Sequence, residues 1–320
     1  MPDSLPIGCT LPASGPVADF GALGGLAQAA EGLGFDSVWI SDHVVVPERI
    51  SSAYPYSVDG NFGLSPTQPY LEPLATLGYL AGMTRRVRLG VAVLILPYRH
   101  PLLTAKMVAT LDNLSGGRID LGIGVGWMRE EFEALGQPLE VYEHRGSASD
   151  EQLRILKSAW TEDVTSYAGR YYQFDTVGVH PHPIQKPHPP IWVGGHTRVA
   201  LRRTALFGDG WLPIGGRPPA DLPPEEVRAC IASIREQAER AGRNPAALRV
   251  CFDTTIRFDE DDGSPFAGSS DAIAGQFQRY LEAGVDSLVV SFGRKPPAEV
   301  ERSLERFARE VRPALTRLVK

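Results

Sequence analysis

The segment from 86 to 127 restricts the fold of this chain more than any other. It opens with an apolar, β-branched run at 87–96, too short to cross a bilayer and too continuous to have one wet face, which predicts a strand buried on both sides. A helix is predicted at 101–114, begun by a proline and ended by Ser-Gly-Gly, and a second buried strand starts at Arg118. The predicted inward face of that helix consists of Leu103, Met107, Thr110 or Leu111, and Leu114.

A strand, a helix and a strand with short joints predict a parallel βαβ unit, and the rest of the chain continues the alternation. A joint in which glycine closes a helix and a polar turn enters an apolar strand recurs at 33–40, 207–212 and 283–289. Eight strand–helix pairs can be traced, as in a (β/α)8 TIM barrel, which typically needs ~250 residues before insertions. We expect a single domain over 1–320 with insertions at about 41–69, 126–144 and 161–189.

The alternative architecture is an open, doubly wound sheet. Such a sheet would carry a GxGxxG turn after its first strand, and the GCTLP sequence at 8–12 does not match it. The glycines at 122, 124 and 126 have the wrong spacing and fall in the fourth unit. The barrel is therefore favoured, with a first helix at 16–32 that turns Phe20 inward and a last helix at 298–318.

Composition narrows the class of partner. A net charge of -6, with basic residues scattered along the chain, argues against a nucleic-acid or anionic-membrane partner. The three cysteines are widely spaced and predict no disulfide framework or metal site, which fits a reducing cytoplasm. No signal-peptide pattern and no apolar run of membrane-spanning length is found in the sequence. We expect a cytoplasmic protein that acts on a small molecule.

In a TIM barrel the active site lies at the carboxyl ends of the strands, and Asp42-His43 follows the second strand. A histidine there can give or take a proton near neutral pH, and the adjacent carboxylate can favour its charged form or fix its tautomer. The alternative is that Asp42 caps a local turn and His43 is an ordinary loop histidine.

The tetrapeptide Gly194-Gly195-His196-Thr197 joins a strand to a helix. Backbone N–H groups and the positive end of the helix dipole therefore face the same rim, which suits a phosphate. The alternative is an ordinary connection in which Thr197 caps the helix.

Two further strand ends, at 92–95 and 124–127, carry no charge. They offer aliphatic side chains and bare backbone against which a planar cofactor ring can pack, or they are simply core strands. No metal site is expected from His180, His182 and His188, which lie among prolines without a carboxylate or cysteine at ligand spacing. The charged run at 129–133 is interpreted as a solvated helical turn.

Three groups of residues together resemble the luciferase-like monooxygenase superfamily. They are GFDSVW at 34–39 with Asp42-His43, RIDLGIGVGW at 118–127 with Glu130-Glu131-Phe132, and PPIWVGG at 189–195 with GDGW at 208–211. Within the superfamily the chain is most similar to the actinobacterial branch that uses the deazaflavin coenzyme F420. Members that use FMN share most of these motifs.

The resemblance implies a TIM barrel that holds a flat ring at its strand ends. His43 corresponds to the histidine that handles a proton beside the reactive ring carbon, and Asp42 to its neighbour in dehydrogenases of the branch. Ala92 and Val93 fall where members often have a non-proline cis peptide behind the ring. The other implied cofactor-binding positions are Gly126 and Trp127, through backbone groups, and Gly194, Gly195, His196 and Thr197 around the phosphate. Sugar-phosphate dehydrogenases of the branch have a catalytic glutamate at the position of Trp127, so their particular reaction is not implied.

The function expected from these features is a coenzyme F420-dependent oxidoreductase that transfers a hydride between the deazaflavin and a small organic substrate, with His43 moving the proton. One alternative is an FMN-dependent monooxygenase, and another is a non-catalytic flavin-binding protein. A cofactor-free lyase or hydrolase would need a lysine or carboxylate constellation, which the strand ends lack.

The substrate pocket is expected to be partly apolar, since the loop at 44–69 and the residue after it carry Tyr54, Tyr56, Phe62 and Tyr70. Arg99, Arg217 and Arg257 are candidates for binding an anion. Family members are often dimers, so a homodimer is one expected assembly.

Overall fold

Eight parallel strands form a closed barrel in the computed structural model of the protein, which describes residues 5–260 and 262–316. The strands are β1 (Ile7–Thr10), β2 (Ser37–Ile40), β3 (Arg88–Ile95), β4 (Ile119–Gly124), β5 (Thr165–Ala168), β6 (Gln173–Val177), β7 (Ile191–Gly194), β8 (Gly210–Leu212), β9 (Arg249–Thr255), β10 (Arg257–Phe258), β11 (Ala267–Gly268) and β12 (Ser287–Ser291). The barrel consists of β1, β2, β3, β4, β7, β8, β9 and β12, in that order.

Pairing between the first and last barrel strands closes the sheet. β1 pairs in parallel with β2 on one side, where Gly8 lies opposite Ser37, and with β12 on the other, where Ile7 lies opposite Leu288. An open doubly wound sheet would leave two edges unpaired, and this sheet has none. The prediction of a (β/α)8 TIM barrel is confirmed.

Helices follow the barrel strands and cover the outside of the sheet. They are α1 (Phe20–Gly32), α2 (Pro73–Met83), α3 (Pro101–Ser115), α4 (Arg129–Ala134), α5 (Leu139–Glu143), α6 (Arg145–Thr161), α7 (Arg198–Phe207), α8 (Pro224–Arg240), α9 (Ser270–Glu282), α10 (Pro297–Arg306) and α11 (Arg312–Thr316). None of the helices in the described part of the chain is long and apolar enough to cross a membrane.

The predicted last helix at 298–318 is divided in the structure. A π-helical turn, Phe307–Val311, separates α10 from α11. Pro313 lies just beyond this turn and cannot donate a backbone hydrogen bond, which disfavours continuous α-helical pairing there. The predicted end at residue 318 lies outside the described residues.

The inward faces predicted for two helices were wrong in part. In α3, Leu103 and Leu114 are 53% and 71% exposed, and the helix instead turns a face of small residues such as Ala105 and Ala109 towards the core. Small side chains let the helix approach the sheet closely, a preference that a search for large apolar residues misses. Phe20 is also exposed, because Asp19 caps α1 through the N–H groups of Gly21 and Ala22 and places Phe20 in the first turn.

The lower part of the barrel interior is filled by large side chains. Trp39, Leu212, Cys251 and Val289, from four different strands, pack together there. The absence of a side chain at Gly90 leaves space for the Trp39 ring, since a Cβ added to Gly90 would lie 2.2 Å from Cε3 of Trp39. This cluster fills the barrel below the carboxyl ends of the strands, where an open space begins.

Candidate active site

A cavity of about 880 Å³ lies at the carboxyl ends of the barrel strands. Each barrel strand contributes to its wall with its last residues or the residue that follows. These are Thr10, Ser41, Ile95, Gly124, Gly194, Leu212, Thr255 and Ser291. The predicted catalytic residues Asp42 and His43 and the predicted phosphate-binding pair Gly194-Gly195 line this same cavity.

His43 lies at the edge of the cavity with its imidazole held by a buried carboxylate. Its Nδ1 is 2.5 Å from Oε2 of Glu131, and the two residues are 7% and 0% exposed. An ionised carboxylate can only accept a hydrogen bond, so Nδ1 carries the proton in this pair. Nε2, for which the described residues offer no hydrogen-bond partner, is left for a ligand.

Glu131 is held in place by three further donors. Its Oε2 also accepts a hydrogen bond from the hydroxyl of Tyr98 at 2.9 Å. Its Oε1 accepts from the backbone N–H groups of Val44 at 2.7 Å and Val45 at 3.2 Å. A buried carboxylate with this many donors is well satisfied, and the orientation of the His43 ring is set by it.

The interpretation of 129–133 as a solvated turn was wrong for its acidic centre. Arg129 and Glu133 do form an exposed i,i+4 pair, but Glu131 points inward beside Met128 and Phe132, both fully buried. The spacing of these three residues, i, i+3 and i+4, places them on one helical face. That spacing was the signal available in the sequence.

Asp42 does not orient the histidine as predicted. Its carboxylate accepts two hydrogen bonds from the guanidinium of Arg99, at 2.7 and 2.9 Å, and one from the backbone N–H of Ile95 at 2.9 Å. Arg99 in turn donates to Glu72 at 2.8 Å, so it is not available to bind an anionic ligand. Asp42 therefore joins the ends of β2 and β3 and supports His43 through the backbone.

Aromatic side chains form the wall next to His43. The imidazole centroid lies 4.6 Å from the ring of Phe62, 5.2 Å from Tyr70 and 6.2 Å from Trp127. Tyr54 extends this wall, with its ring 5.2 Å from that of Trp127. Burial raises the pKa of the Tyr70 hydroxyl well above its ordinary value, so that group stays protonated.

The peptide bond between Ala92 and Val93 is cis, at the position where the resemblance predicted one. The pairing of β3 with β4 shifts register between Val91 and Leu94, so this part of the strand bulges. Ala92, Val93 and Gly124 line the cavity together. The wall here consists of backbone and small aliphatic groups.

The segment Gly194–Thr197 begins α7 at the other side of the cavity. Thr197 caps the helix, since its Oγ1 accepts from the N–H of Ala200 at 3.3 Å, and it also lines the cavity. Gly195 has a φ of +84°, a conformation suited to glycine. His196 is exposed and is not part of the cavity wall. Thr197 therefore caps α7, and the same segment still faces the cavity, where it could also bind an anion.

Two arginines, Arg145 and Arg203, line the cavity near this helix end. Arg145 donates from Nε to the carbonyl oxygen of Gly126 at 3.0 Å, and Arg203 forms an ion pair with Asp150. Gly126 itself has a φ of +81°, and a Cβ there would lie 2.8 Å from Phe132. The predicted residues Gly126 and Trp127 thus border the cavity between the aromatic wall and the basic end.

The proline-rich segment that contains three histidines is tethered to the chain by hydrogen bonds. The Nε2 atoms of His180 and His182 donate to the carbonyl oxygens of Asp163 and Glu162, and Nδ1 of His188 donates to that of Pro189. Among residues 5–260 and 262–316, no group of three or more histidine, cysteine or acidic side chains is arranged to hold a metal ion.

A family model described as luciferase-like monooxygenase matches residues 6–287. The chain belongs to the luciferase-like monooxygenase family. Its cavity, at the carboxyl ends of a TIM barrel, is the candidate active site of a luciferase-like enzyme.

Three relatives illustrate the similarity, and the names of two of them refer to different cofactors. An uncharacterised protein of Mycobacterium tuberculosis is 33% identical over 89% of this chain and 93% of its own length. The F420-dependent glucose-6-phosphate dehydrogenase of Nakamurella multipartita is 31% identical over 75% of this chain and 64% of its own. The FMNH2-dependent dimethylsulfone monooxygenase of Pseudomonas putida is 34% identical over 51% of this chain and 43% of its own.

A solved structure shares the fold. The coenzyme F420-dependent tetrahydromethanopterin reductase of Methanopyrus kandleri superimposes with a TM-score of 0.75 at 21% identity, over 98% of this chain and 99% of that one. Luciferase-like proteins with this barrel thus include enzymes named for F420 and enzymes named for FMN.

Proposed function

We propose that the protein is a coenzyme F420-dependent oxidoreductase that transfers a hydride between the deazaflavin and a small organic substrate, with His43 as the proton donor or acceptor. The observation that supports this most directly is the His43–Glu131 pair at the edge of the cavity. It provides one proton-transfer group, oriented by a buried acid, next to a wall that suits a flat ring.

The residues of the cavity fit such a cofactor. Ala92, Val93 and Gly124 offer backbone and small aliphatic groups against which a ring can pack, and a Cβ on Gly124 would lie 2.5 Å from Cγ2 of Val93. A volume of about 880 Å³ lies within the range of cofactor and drug-sized sites. When bound, the deazaflavin would supply the two-electron chemistry that no side chain of the cavity can provide.

The anionic tail of the cofactor would lie at Gly194 and Gly195. Backbone N–H groups at the start of α7 and the guanidinium of Arg145 carry positive charge at this end of the cavity. The aromatic wall around His43 is at the other end. A cofactor bound in this direction leaves the space near His43 for the substrate.

The chemical role of His43 follows from its hydrogen bond. When an alcohol is oxidised, its carbon loses a hydride and its oxygen loses a proton, and Nε2 of His43 would take that proton. The Glu131 carboxylate at Nδ1 stabilises the positive charge that forms on the ring. In the reverse direction, the same nitrogen returns the proton to a carbonyl oxygen.

The second candidate, an FMN-dependent monooxygenase, is supported by the relative from Pseudomonas putida. Fluorescence titration of the purified protein with oxidised F420 and with FMN separates the two proposals. We expect F420 to bind at least about tenfold more tightly than FMN, a difference of about 1.4 kcal/mol. Tighter binding of FMN would contradict the F420 proposal.

A substrate panel then tests catalysis. Protein loaded with F420 is mixed with secondary alcohols and with ketones, and the absorbance of the deazaflavin is followed. Cofactor binding without any turnover would favour the non-catalytic alternative. Turnover that is lost in His43→Ala, with unchanged F420 affinity, supports the assigned role of the histidine.

A further inference from the structure

Asp253 is a carboxylate inside the cavity that the proposed reaction does not use. Side chains along β9 alternate, so that Val250 and Phe252 pack in the outer core and Cys251 faces the barrel interior. Asp253 therefore faces inward one layer above Cys251, where it lines the cavity. Its backbone groups are bonded to Pro213 and Gly215. Its carboxylate has no hydrogen-bond or ion-pair partner in the described part of the chain.

Arg217 lines the same cavity, and its guanidinium also lacks a partner in the described part of the chain. No described residue forms an ion pair or hydrogen bond with its guanidinium, although its charge lowers the pKa of Asp253. The two groups thus act on each other through space without contact. A space between a carboxylate and a guanidinium is suited to a ligand group that can donate to one and accept from the other.

Two other charged groups that line the cavity are paired. Arg257 forms an ion pair with Asp262 at 2.6 Å, and Lys295 pairs with Glu260 at 3.3 Å. Glu143 and Arg294 have no ion pair in the described part of the chain, but both are exposed. Asp253 and Arg217 differ from them because they are half-buried as well as unpaired.

Asp253 and Tyr56 are half-buried in the cavity wall. Burial raises the pKa of the Asp253 carboxyl group from 3.8 to about 7, while the charge of Arg217 acts in the opposite direction. Burial raises the pKa of the neighbouring Tyr56 hydroxyl to about 12, so it remains a neutral donor and acceptor. The thiol of Cys251 below is buried and stays protonated as well.

Asp253 is separated from His43 by the aromatic wall. The Tyr56 ring lies 5.6 Å from Tyr54, whose ring lies 5.2 Å from Trp127, and Trp127 borders His43. These rings form a continuous apolar path that leads from His43 towards Asp253 and Arg217.

We propose that Asp253 and Arg217 form a subsite for a neutral hydroxyl group of the substrate, remote from the carbon that reacts at His43. The hydroxyl donates to the carboxylate of Asp253 and accepts from the guanidinium of Arg217. This inference rests on the proposed function and specifies its substrate class as neutral hydroxylated compounds. A phosphate group in this position would be repelled by the carboxylate of Asp253. Phosphorylated substrates, such as the glucose 6-phosphate in the name of the Nakamurella multipartita relative, are therefore disfavoured.

Three probes that share one flexible apolar chain test the subsite: 1-octanol, octane-1,8-diol and octyl phosphate. Their affinities are measured by calorimetric titration at pH 8, above the pKa of the Asp253 carboxyl group, on protein with and without bound cofactor. The diol should bind at least about tenfold more tightly than octanol, as expected for a hydrogen bond to a charged group. Octyl phosphate should bind no better than octanol.

Substitution of Asp253 should reverse this order. In Asp253→Asn the preference for the diol should fall to about twofold or less, and octyl phosphate should gain about tenfold, because Arg217 then lacks a neighbouring negative charge. Arg217→Gln should also lose the preference for the diol, without the gain for the phosphate. Glu239→Gln, which removes one exposed acid on α8, is the matched control and should behave as the native protein.

The outcomes for the subsite and for the proposed function are distinguishable. Equal binding of octane-1,8-diol and octanol, absence of diol binding, or an unchanged preference in Asp253→Asn overturns the subsite even if the enzyme turns over other alcohols with F420. A diol preference that disappears in Asp253→Asn supports the subsite even if neither F420 nor turnover is found.

Discussion

Nδ1 of His43 lies 2.5 Å from the carboxylate of Glu131, a residue 88 positions further along the chain. The pair joins the end of β2 to the short helix α4, which belongs to a different insertion. The histidine of the candidate active site is thus oriented by a long-range contact. Asp42, which precedes His43 in the sequence, forms an ion pair with Arg99 instead.

The first prediction concerns this pair. Glu131→Gln keeps the size of the side chain but removes the negative charge that supports protonation of His43, so kcat should fall by at least about tenfold, with a small change in F420 affinity. His43→Ala should lower kcat by about 100- to 10,000-fold. Steady-state kinetics and cofactor titration provide both measurements.

The control for this prediction is Glu133→Gln, on the same helix but 54% exposed and paired only with Arg129. It should leave kcat unchanged. Equal losses in Glu131→Gln and Glu133→Gln would show that disturbance of α4, rather than the histidine contact, lowers activity.

The second prediction concerns the Asp42–Arg99 ion pair. Asp42→Ala leaves a buried guanidinium with only Glu72 as a partner, and the free energy of unfolding should fall by about 3 kcal/mol. Urea unfolding measures this directly. Glu236→Ala removes the exposed pair with Arg240 and should cost less than about 1 kcal/mol. A loss of similar size in both variants would contradict the structural role of Asp42.

The third prediction tests the wall formed by Ala92, Val93 and Gly124. In Gly124→Ala the new Cβ would lie 2.5 Å from Cγ2 of Val93, so the Val93 side chain must shift and the wall against which the ring is proposed to pack changes shape. F420 affinity should fall by at least about tenfold, the equivalent of 1.4 kcal/mol. Gly275→Ala on α9, where a Cβ meets nothing within 4 Å, should bind F420 normally. Normal binding in both variants would place the ring elsewhere.

The fourth prediction is a dependence of stability on pH. The pKa of Asp253 is raised from 3.8 to about 7 on folding, so the folded state holds its proton more tightly than the unfolded state. This contribution to stability is complete below pH 4 and is lost as pH rises through 7. Asp253→Asn should therefore unfold like the native protein at pH 4 and be more stable at pH 8.

Thermal unfolding from pH 4 to pH 8 follows this difference. Glu239→Gln should show a constant offset from the native protein across that range, because its carboxyl group is exposed. An Asp253→Asn curve parallel to the native one at every pH would mean that burial does not raise the pKa of the Asp253 carboxyl group.

The barrel could be predicted from sequence because its evidence is local. Each joint, such as Leu33-Gly34 before β2, carries its own turn chemistry, and the strands are short apolar runs. The position of His43 at the cavity could also be predicted, because it lies three residues after the end of β2. The role of Glu131 could not be predicted in this way, since it depends on how α4 lies over β2. The small-residue face of α3 also depends on the close approach of neighbouring helices.

The carboxylate of Glu131 has a second consequence through its other oxygen. That oxygen holds the N–H groups of Val44 and Val45, the first residues of the loop that carries the aromatic wall. If the loop moves outward at this point, the carboxylate of Glu131 loses the hydrogen bonds from Val44 and Val45. The same carboxylate orients the His43 imidazole. One side chain, Glu131, therefore fixes both the start of the loop that lines the cavity and the orientation of the His43 ring. A replacement loop would have to keep N–H donors to Oε1 of Glu131 to preserve that orientation.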